Sequence, residues 1–242
     1  MAAGMERLHV QRETGFLLDA RGRLLRVNSP DGLEPPRFVL AGCSGGNLAS
    51  VSGKLDEATA TELLGLAADE PPFCPPVAAP LHLRRYLEIL GAAEAEIELD
   101  HEMAPDLPPR DVEAKLVASD TAEGEALLES LLRGGMPSGL FDMGFVDVNE
   151  FWAPWCAALV GCEVVSIAFA ARLSDAGAAV GVATAPHFRG RGLAAAAVAG
   201  WTRLPTLRRR RLFYSCKLTN HASRSVAACL GFSPFGLTLS AP

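Results

Sequence analysis

From Thr184 to Ala194 the chain reads Thr-Ala-Pro-His-Phe-Arg-Gly-Arg-Gly-Leu-Ala. At its centre stand Arg189, Gly190, Arg191, Gly192, Leu193 and Ala194. Two glycines one residue apart, with small neighbours, let successive backbone N–H groups point into one concavity. Such a nest at the start of a helix binds phosphate through its donors and the helix dipole. Arg189 and Arg191 add positive charge beside it. The bland reading of the same letters is a tight strand-to-helix turn with solvated arginines.

Two nucleotide-binding motifs are tested by these residues. Gly190-x-Gly192-x-x-Ala195 satisfies the dinucleotide fingerprint by letter. That fingerprint needs an acidic residue roughly twenty positions on to hold a ribose. Here the region is Tyr214-Ser215-Cys216, and no carboxylate side chain follows Asp175. A nicotinamide enzyme is therefore disfavoured. A P-loop is excluded, because no Gly-Lys-Ser/Thr follows the glycines.

The charge is as one-sided as the motif. The 67 residues from Ala176 to Pro242 contain nine basic side chains and no acidic one. The first 175 residues hold the other 13 of the 22 basic groups and all 28 acidic ones, a balance of −15. A segment this one-sided suggests an anionic partner. The overall charge of −6 argues against a nucleic-acid polymer, whose binding draws on many phosphate contacts. The acidic remainder leaves a cationic acceptor open. The apolar run 151–171 is broken by Pro154, Gly161 and Glu163, so two buried strands with a turn are expected there, not a membrane span. The polar first ten residues show no signal peptide, and the six cysteines follow no metal or disulfide spacing. A cytoplasmic protein with reduced, mostly buried thiols and no metal is expected.

The elements that must position the loop can be read from pattern and punctuation. Hydrophobic alternation predicts strands over 156–160, 164–172 and 178–184, the last two joined by the turn Ser174-Asp175-Ala176-Gly177. A helix over 193–203, a strand over 211–216, a helix over 222–230 ended by Gly231, and a strand over 235–239 follow. Asp120 with Glu123 gives a capping-box signal for a helix that stops at Gly134-Gly135. Upstream, a hairpin around 19–22, strands over 37–43, 47–51 and 94–99, and helices over 56–68 and 81–90 are expected, with a proline-rich loop over 70–80. The cluster Pro105 to Pro109 is the best boundary, giving an α+β unit over 1–110 and an α/β unit over 111–242.

Arg189-x-x-Gly192-x-Ala194 resembles the Arg/Gln-x-x-Gly-x-Gly/Ala motif of the GNAT acyltransferases. Asn220-His-Ala-Ser223 through Leu230-Gly231-Phe232 resembles that family's C-terminal helix, which starts near an Asn and ends in Leu-Gly-Phe. The order of elements from 111 onward is also similar. The resemblance implies the GNAT acyl-CoA N-acyltransferase fold, a mixed central sheet flanked by helices, preceded by a smaller α+β domain like the N-terminal extension of some bacterial members. It implies an N-acetyltransferase that moves an acetyl group from acetyl-CoA to an amine by direct attack. The alternative is a catalytically silent module that binds acyl-CoA, and a homodimer is left open.

The family's roles carry over residue by residue. Val182, Ala183 and Thr184 would splay from strand 211–216 and pair with the pantetheine arm. Amides from Arg189 to Ala194 would hold the pyrophosphate. Asn220 would bond the pantetheine or the acetyl end, with Ser223 adding a hydroxyl. Asn220 is equally a helix N-cap, and Ser223 equally a first-turn residue. One position departs from the family: Ala227 stands where many members place a tyrosine that protonates the departing thiolate. Tyr214, on the strand beside the expected thioester, is the replacement candidate, against a core role. Glu163 is the candidate base, with Asp147, Glu150 and His187 behind it.

Overall fold

The computed structural model describes residues 2–73 and 79–242. Its N-terminal half contains helix α1 (Ala2–Gly15), the hairpin β1 (Phe16–Leu18) and β2 (Leu24–Val27), and strands β3 (Phe38–Cys43) and β4 (Gly46–Val51). Helices α2 (Glu57–Ala68) and α3 (Leu83–Leu90) and strand β5 (Glu96–Met103) follow. The rest comprises β6 (Lys115–Ala118), α4 (Ala122–Gly134), α5 (Ser138–Asp142), β7 (Trp155–Val160), β8 (Glu163–Leu173), β9 (Gly177–Thr184), α6 (Leu193–Thr202), β10 (Arg211–Lys217), α7 (His221–Cys229) and β11 (Pro234–Ala241).

The fold is mixed α+β. Nine strands form one sheet in the order β4-β3-β11-β5-β10-β9-β8-β7-β6, with β1 and β2 apart as a two-stranded sheet. All neighbours in the large sheet are antiparallel except β9 and β10. The sheet runs across the 110/111 boundary, because β5 lies between β10 and β11.

Local chemistry accounts for most element ends. Asp56 caps α2 by accepting the Thr59 amide, and Gly91 ends α3 with a left-handed φ of 61°. The cap of α4 is Thr121, which accepts the Gly124 amide, and not Asp120. The helix thus starts one residue later than the Asp120–Glu123 pairing suggests. Strand β5 extends to Met103, beyond the expected Leu99. Helix α1, the short strand β6 and the five-residue α5 carry no strong periodicity and were not expected from pattern. The loop expected over 70–80 lies partly outside the described residues.

Helix α6 is apolar on all sides and buried from Ala195 to Ala199, as an alanine-rich helix pressed on a sheet must be. Its Trp201 indole donates to the Pro154 carbonyl at 2.8 Å, fixing the helix to the segment before β7. Apolar residues of α6 and α7 and Leu212, Tyr214 and Cys216 of β10 form one core on one face of the sheet. Apolar residues of α4 and α5 pack on the other face at the β6–β8 end. Of the described cysteines, Cys43, Cys156 and Cys216 are buried thiols, while Cys162 and Cys229 are exposed. Cys74 lies outside the described residues. No described helix is long and apolar enough to cross a membrane.

Candidate functional site

Strands β9 and β10 run parallel, and their pairing covers only Arg211–Gly177, Leu212–Ala178 and Phe213–Ala179. Beyond that point both continue and part. β9 stays bound to β8, with Ser166 opposite Thr184, while β10 stays bound to β5, with Ser215 opposite Asp100. A gap therefore opens at the centre of the sheet. Backbone groups of Val180 to Thr184, including Val182 and Ala183, have no strand partner on the β10 side.

At the end of β9 the chain turns through Pro186–Phe188 into the glycine loop. Gly190 and Gly192 both have φ of 76°, which a side chain at either position would resist. Gly192 is the cap of α6 and offers no side chain to its first amides. Among the described residues no acceptor is assigned to the amides of Gly190 to Ala195; the first helical bond is Ala196 N–H to the Gly192 carbonyl. Gly190, Arg191 and Gly192 are exposed. A row of free donors thus sits at the positive end of a buried helix dipole. The Arg189 Nε–H donates to the Thr184 carbonyl at 3.2 Å, and the Arg191 guanidinium lies 5.0 Å over the Phe188 ring. Both arginines flank the loop, and among the described residues neither has a carboxylate partner.

The surrounding charge is smaller than the sequence count implies. Arg203 pairs with Asp106, Arg210 with Asp175, Arg211 with Glu6 and Glu102, and Lys217 with Glu96. Among the described residues Arg189, Arg191, Arg208, Arg209 and Arg224 have no carboxylate within ion-pair reach. The Arg208–Arg211 run is thus split, with half of it neutralised by the chain itself.

The remaining sequence candidates fall in different places. Asn220 caps α7, its Oδ1 accepting the Ser223 amide at 3.0 Å. Tyr214 is 1% exposed and packs in the core with Ala227, its ring 5.8 Å from Phe232. Its hydroxyl is 2.8 Å from the Ser223 Oγ and 3.2 Å from the Ser223 carbonyl. Burial pushes the phenol up to about 12, partly offset by the Ser223 hydrogen bond. Glu163 is exposed at the start of β8, and its carboxylate lies close to Gly139 of α5. β9 separates the strands of Glu163 and Tyr214, and no hydrogen bond links the two residues. Asp147 and Glu150 are occupied in a reciprocal capping box over Val148–Glu150. His187 is exposed.

A parting parallel pair that leads into a glycine nest on a helix N-terminus matches what the sequence motif implies, and the comparison with known families agrees. Residues 142–235 match the model of the GNAT acetyltransferase family. Over these residues the chain is similar to a GNAT acetyltransferase domain. The match spans α5's last residue to the start of β11 and includes the gap, the loop and α7. None of the curated proteins matches the chain. Among solved structures, a GCN5-related N-acetyltransferase-like protein from Streptococcus suis is 17% identical, with 98% of each chain covered and a TM-score of 0.48. A tandem GNAT protein from the clavulanic acid biosynthesis pathway is 13% identical over 86% of this chain and 84% of its own, with a TM-score of 0.45. A GCN5-related N-acetyltransferase from Kribbella flavida is 16% identical over 64% of this chain, with a TM-score of 0.42. The chain covers 63% of that protein's length, less than two thirds.

Sequence reasoning did not single out the acidic row of β5. Glu96, Glu98, Asp100 and Glu102 alternate with Ile97, Leu99 and His101, and this alternation was the available signal. Asp100 is wholly buried, accepting the Ser215 hydroxyl at 2.7 Å and the Thr238 hydroxyl at 2.6 Å. Burial raises its pKa against those hydrogen bonds. Burial also raises Glu98 to about 7, with Asp100 and Glu96 adding repulsion and Lys217 and Arg172 opposing it. His101 is buried, its Nδ1 is 3.0 Å from the Tyr214 carbonyl, and burial lowers its pKa.

Proposed function

We propose that the GNAT domain binds acetyl-CoA and transfers the acetyl group to an amine by direct attack. The observation that carries this reading is the parting of β9 and β10 directly before a loop of unbonded amides at the start of α6. The residues present fit the coenzyme. Amides from Gly190 to Ala194 would receive the pyrophosphate, and Arg189 and Arg191 would screen its charge. The free edge of β9 at Val182–Thr184 would pair with the amide groups of the pantetheine arm. When bound, the coenzyme supplies an activated thioester.

Tyr214 stands one residue past the last paired position of β10. Its phenol, kept protonated by burial, is assigned the role of donor to the departing thiolate, with Ser223 holding its hydroxyl. Asn220, at the start of α7, fixes that helix beside the gap and supports the same hydroxyl pair through the Ser223 amide. Glu163 remains a candidate base at the outer end of β8, where Ser166–Thr184 pairing brings that strand to the end of β9.

Calorimetric titration with acetyl-CoA tests the loop. Binding to the wild type, weakened at least tenfold in the Arg189→Ala/Arg191→Ala double variant, is expected. Equal affinity in the double variant would remove the loop from the coenzyme site. Thiol release in the presence of amines then separates the enzyme from a silent binding module.

A further inference from the structure

Strand β5 brings a wholly buried carboxylate to the edge of the gap. Asp100 is 0% exposed, and the Ser215 hydroxyl of β10 donates to its Oδ1 at 2.7 Å. The Thr238 hydroxyl of β11 donates to its Oδ2 at 2.6 Å, and the Gln11 side chain of α1 supplies a further hydrogen bond. Three other elements thus converge on one carboxylate of β5. Among the described residues no lysine or arginine pairs with it. The hydrogen bonds fix its orientation, and burial without a counter-charge raises its affinity for a proton.

Ser215 carries this cluster to the gap. β9 and β10 last pair at Ala179–Phe213, so Gly181 and Ser215, each two residues on, stand level across the opening. Side chains alternate along a strand. Ser215 therefore points to a cavity of about 1090 Å³ on the face away from α6 and α7, while Tyr214 points to the helices. Ser215 is partly exposed there. Across from it Gly181 has no side chain, and the Phe169 ring lies 2.6 Å from where a Cβ would stand. At this level the cavity side of the opening offers a hydroxyl facing an aromatic wall. That hydroxyl gives its hydrogen to Asp100, so its lone pairs are left to accept from the opening. Glu163 is placed less well. Phe169 is the β8 residue opposite Gly181, and Glu163 lies about 20 Å from it along the strand.

We propose that Ser215 and Asp100 form a proton relay that serves the attacking nucleophile. This rests on the acyl-transfer reading, in which the pantetheine arm pairs along Val182–Thr184 and leaves the thioester level with Gly181. Ser215 Oγ takes a proton from the attacking nitrogen as the N–C bond forms and the C–S bond breaks. Its own proton moves to Asp100 Oδ1, and the C–S electron pair leaves on sulfur, which Tyr214 protonates. Asp100 acts through Ser215 and returns its proton by the same hydroxyl to water in the cavity. Tyr214 regains one from water, so the sum is amine plus thioester giving amide plus thiol. Adjacent residues of β10 thus work on opposite faces of the gap, Tyr214 giving a proton and Ser215 taking one. The N-terminal half contributes through β5, which supplies the carboxylate.

Methylamine and hydroxylamine test this, since each is small enough to enter the gap whatever the natural acceptor. Thiol release from acetyl-CoA by the full chain, corrected for the uncatalysed reaction, gives kcat and KM. Ser215→Ala should lower kcat roughly tenfold or more and leave KM and calorimetric affinity for acetyl-CoA unchanged. Ser215→Thr, which keeps the hydroxyl, should recover most of the loss. Asp100→Asn should match Ser215→Ala, and the double variant should fall no further. Ser215→Ala decides the matter if Asp100→Asn fails to fold. Wild-type kcat in Ser215→Ala overturns the relay, and so does a raised KM with unchanged kcat, which would make the hydroxyl a coenzyme contact. An acetylated Ser215 in the mass spectrum after incubation with acetyl-CoA alone also overturns it, by making that residue a nucleophile. No release with either probe, from a protein that binds acetyl-CoA, would sink the acyl-transfer reading and the relay together.

Discussion

Replacing Glu98 by Gln should make the protein more stable, by a margin that grows as pH rises above about 4.5 and is complete near pH 7. In the folded chain this carboxyl holds its proton up to about 7, against an ordinary value of 4.5. The causes are burial first, then Asp100 and Glu96 on its own strand; Lys217 on β10 and Arg172 on β8 oppose them. Between the two values the folded state holds a proton that the unfolded chain has released. Unfolding therefore releases a proton, and stability falls as pH rises from about 4.5 to about 7, then levels off. The interval, at about 1.36 kcal/mol per pH unit, sets a ceiling of about 3 kcal/mol. Glu98 is only half-buried, so water screening brings the expected gain nearer 1–2 kcal/mol. Glutamine keeps the shape and removes the charge. Urea unfolding of both proteins at pH 4.5 and pH 8.5 reads the effect as a shift in midpoint with unchanged slope. At pH 8.5 the variant should also melt a few degrees higher, at roughly 2–4 °C per kcal/mol for a chain of this size. A stability difference that is the same at both pH values would show that Glu98 is ionised and paired across the range. A variant less stable at pH 8.5 would reverse the sign of the argument.

Other perturbations test separate parts of the structure. Gly192→Ala places a side chain at φ 76°, with only Val112 nearby at 3.6 Å, so backbone strain of about 1–2 kcal/mol should appear in denaturant unfolding, together with a loss of acetyl-CoA affinity. A stability cost without any change in affinity would separate the turn from the coenzyme. Tyr214→Phe removes a hydroxyl bonded to Ser223 and should cost about 1 kcal/mol of stability. If Tyr214 is the proton donor, kcat should fall with KM for acetyl-CoA unchanged; an unaltered kcat would return it to a packing role. Gly124→Ala would put a methyl 2.1 Å from the Ala118 carbonyl oxygen, so α4 must shift and about 1–3 kcal/mol should be lost in urea unfolding. A neutral result there would mean that the start of α4 yields freely.

Legibility in the sequence tracked the range of the interaction responsible. The glycine loop, the hairpin turn before β9, the helix after the loop and the Asn220 start of α7 are fixed by residues within a few positions of one another. Their turn chemistry, caps and alternation could be read directly. The Thr121 cap of α4 was missed by one residue because Asp120 and Thr121 are both competent acceptors, and backbone geometry chooses between them. Helix α1 was missed because it buries few side chains and shows little periodicity; its place over the sheet comes from tertiary contact.

The tertiary structure alone decided which strands meet. No local rule places β5, from the first half, between β10 and β11, since that order is set by pairing between segments more than a hundred residues apart. That placement buries Asp100 and isolates Glu98. It also brings Glu96 and Glu102 against Lys217 and Arg211, which neutralises part of a charge imbalance that looked wholly available in the sequence. Tyr214 was correctly placed on the strand beside the gap, yet only packing turned its ring towards α7 and tied its hydroxyl to Ser223. Sequence determined where the glycine nest lies, because such a nest is a local object. The fold determined what surrounds the gap, because burial and charge pairing belong to the whole chain.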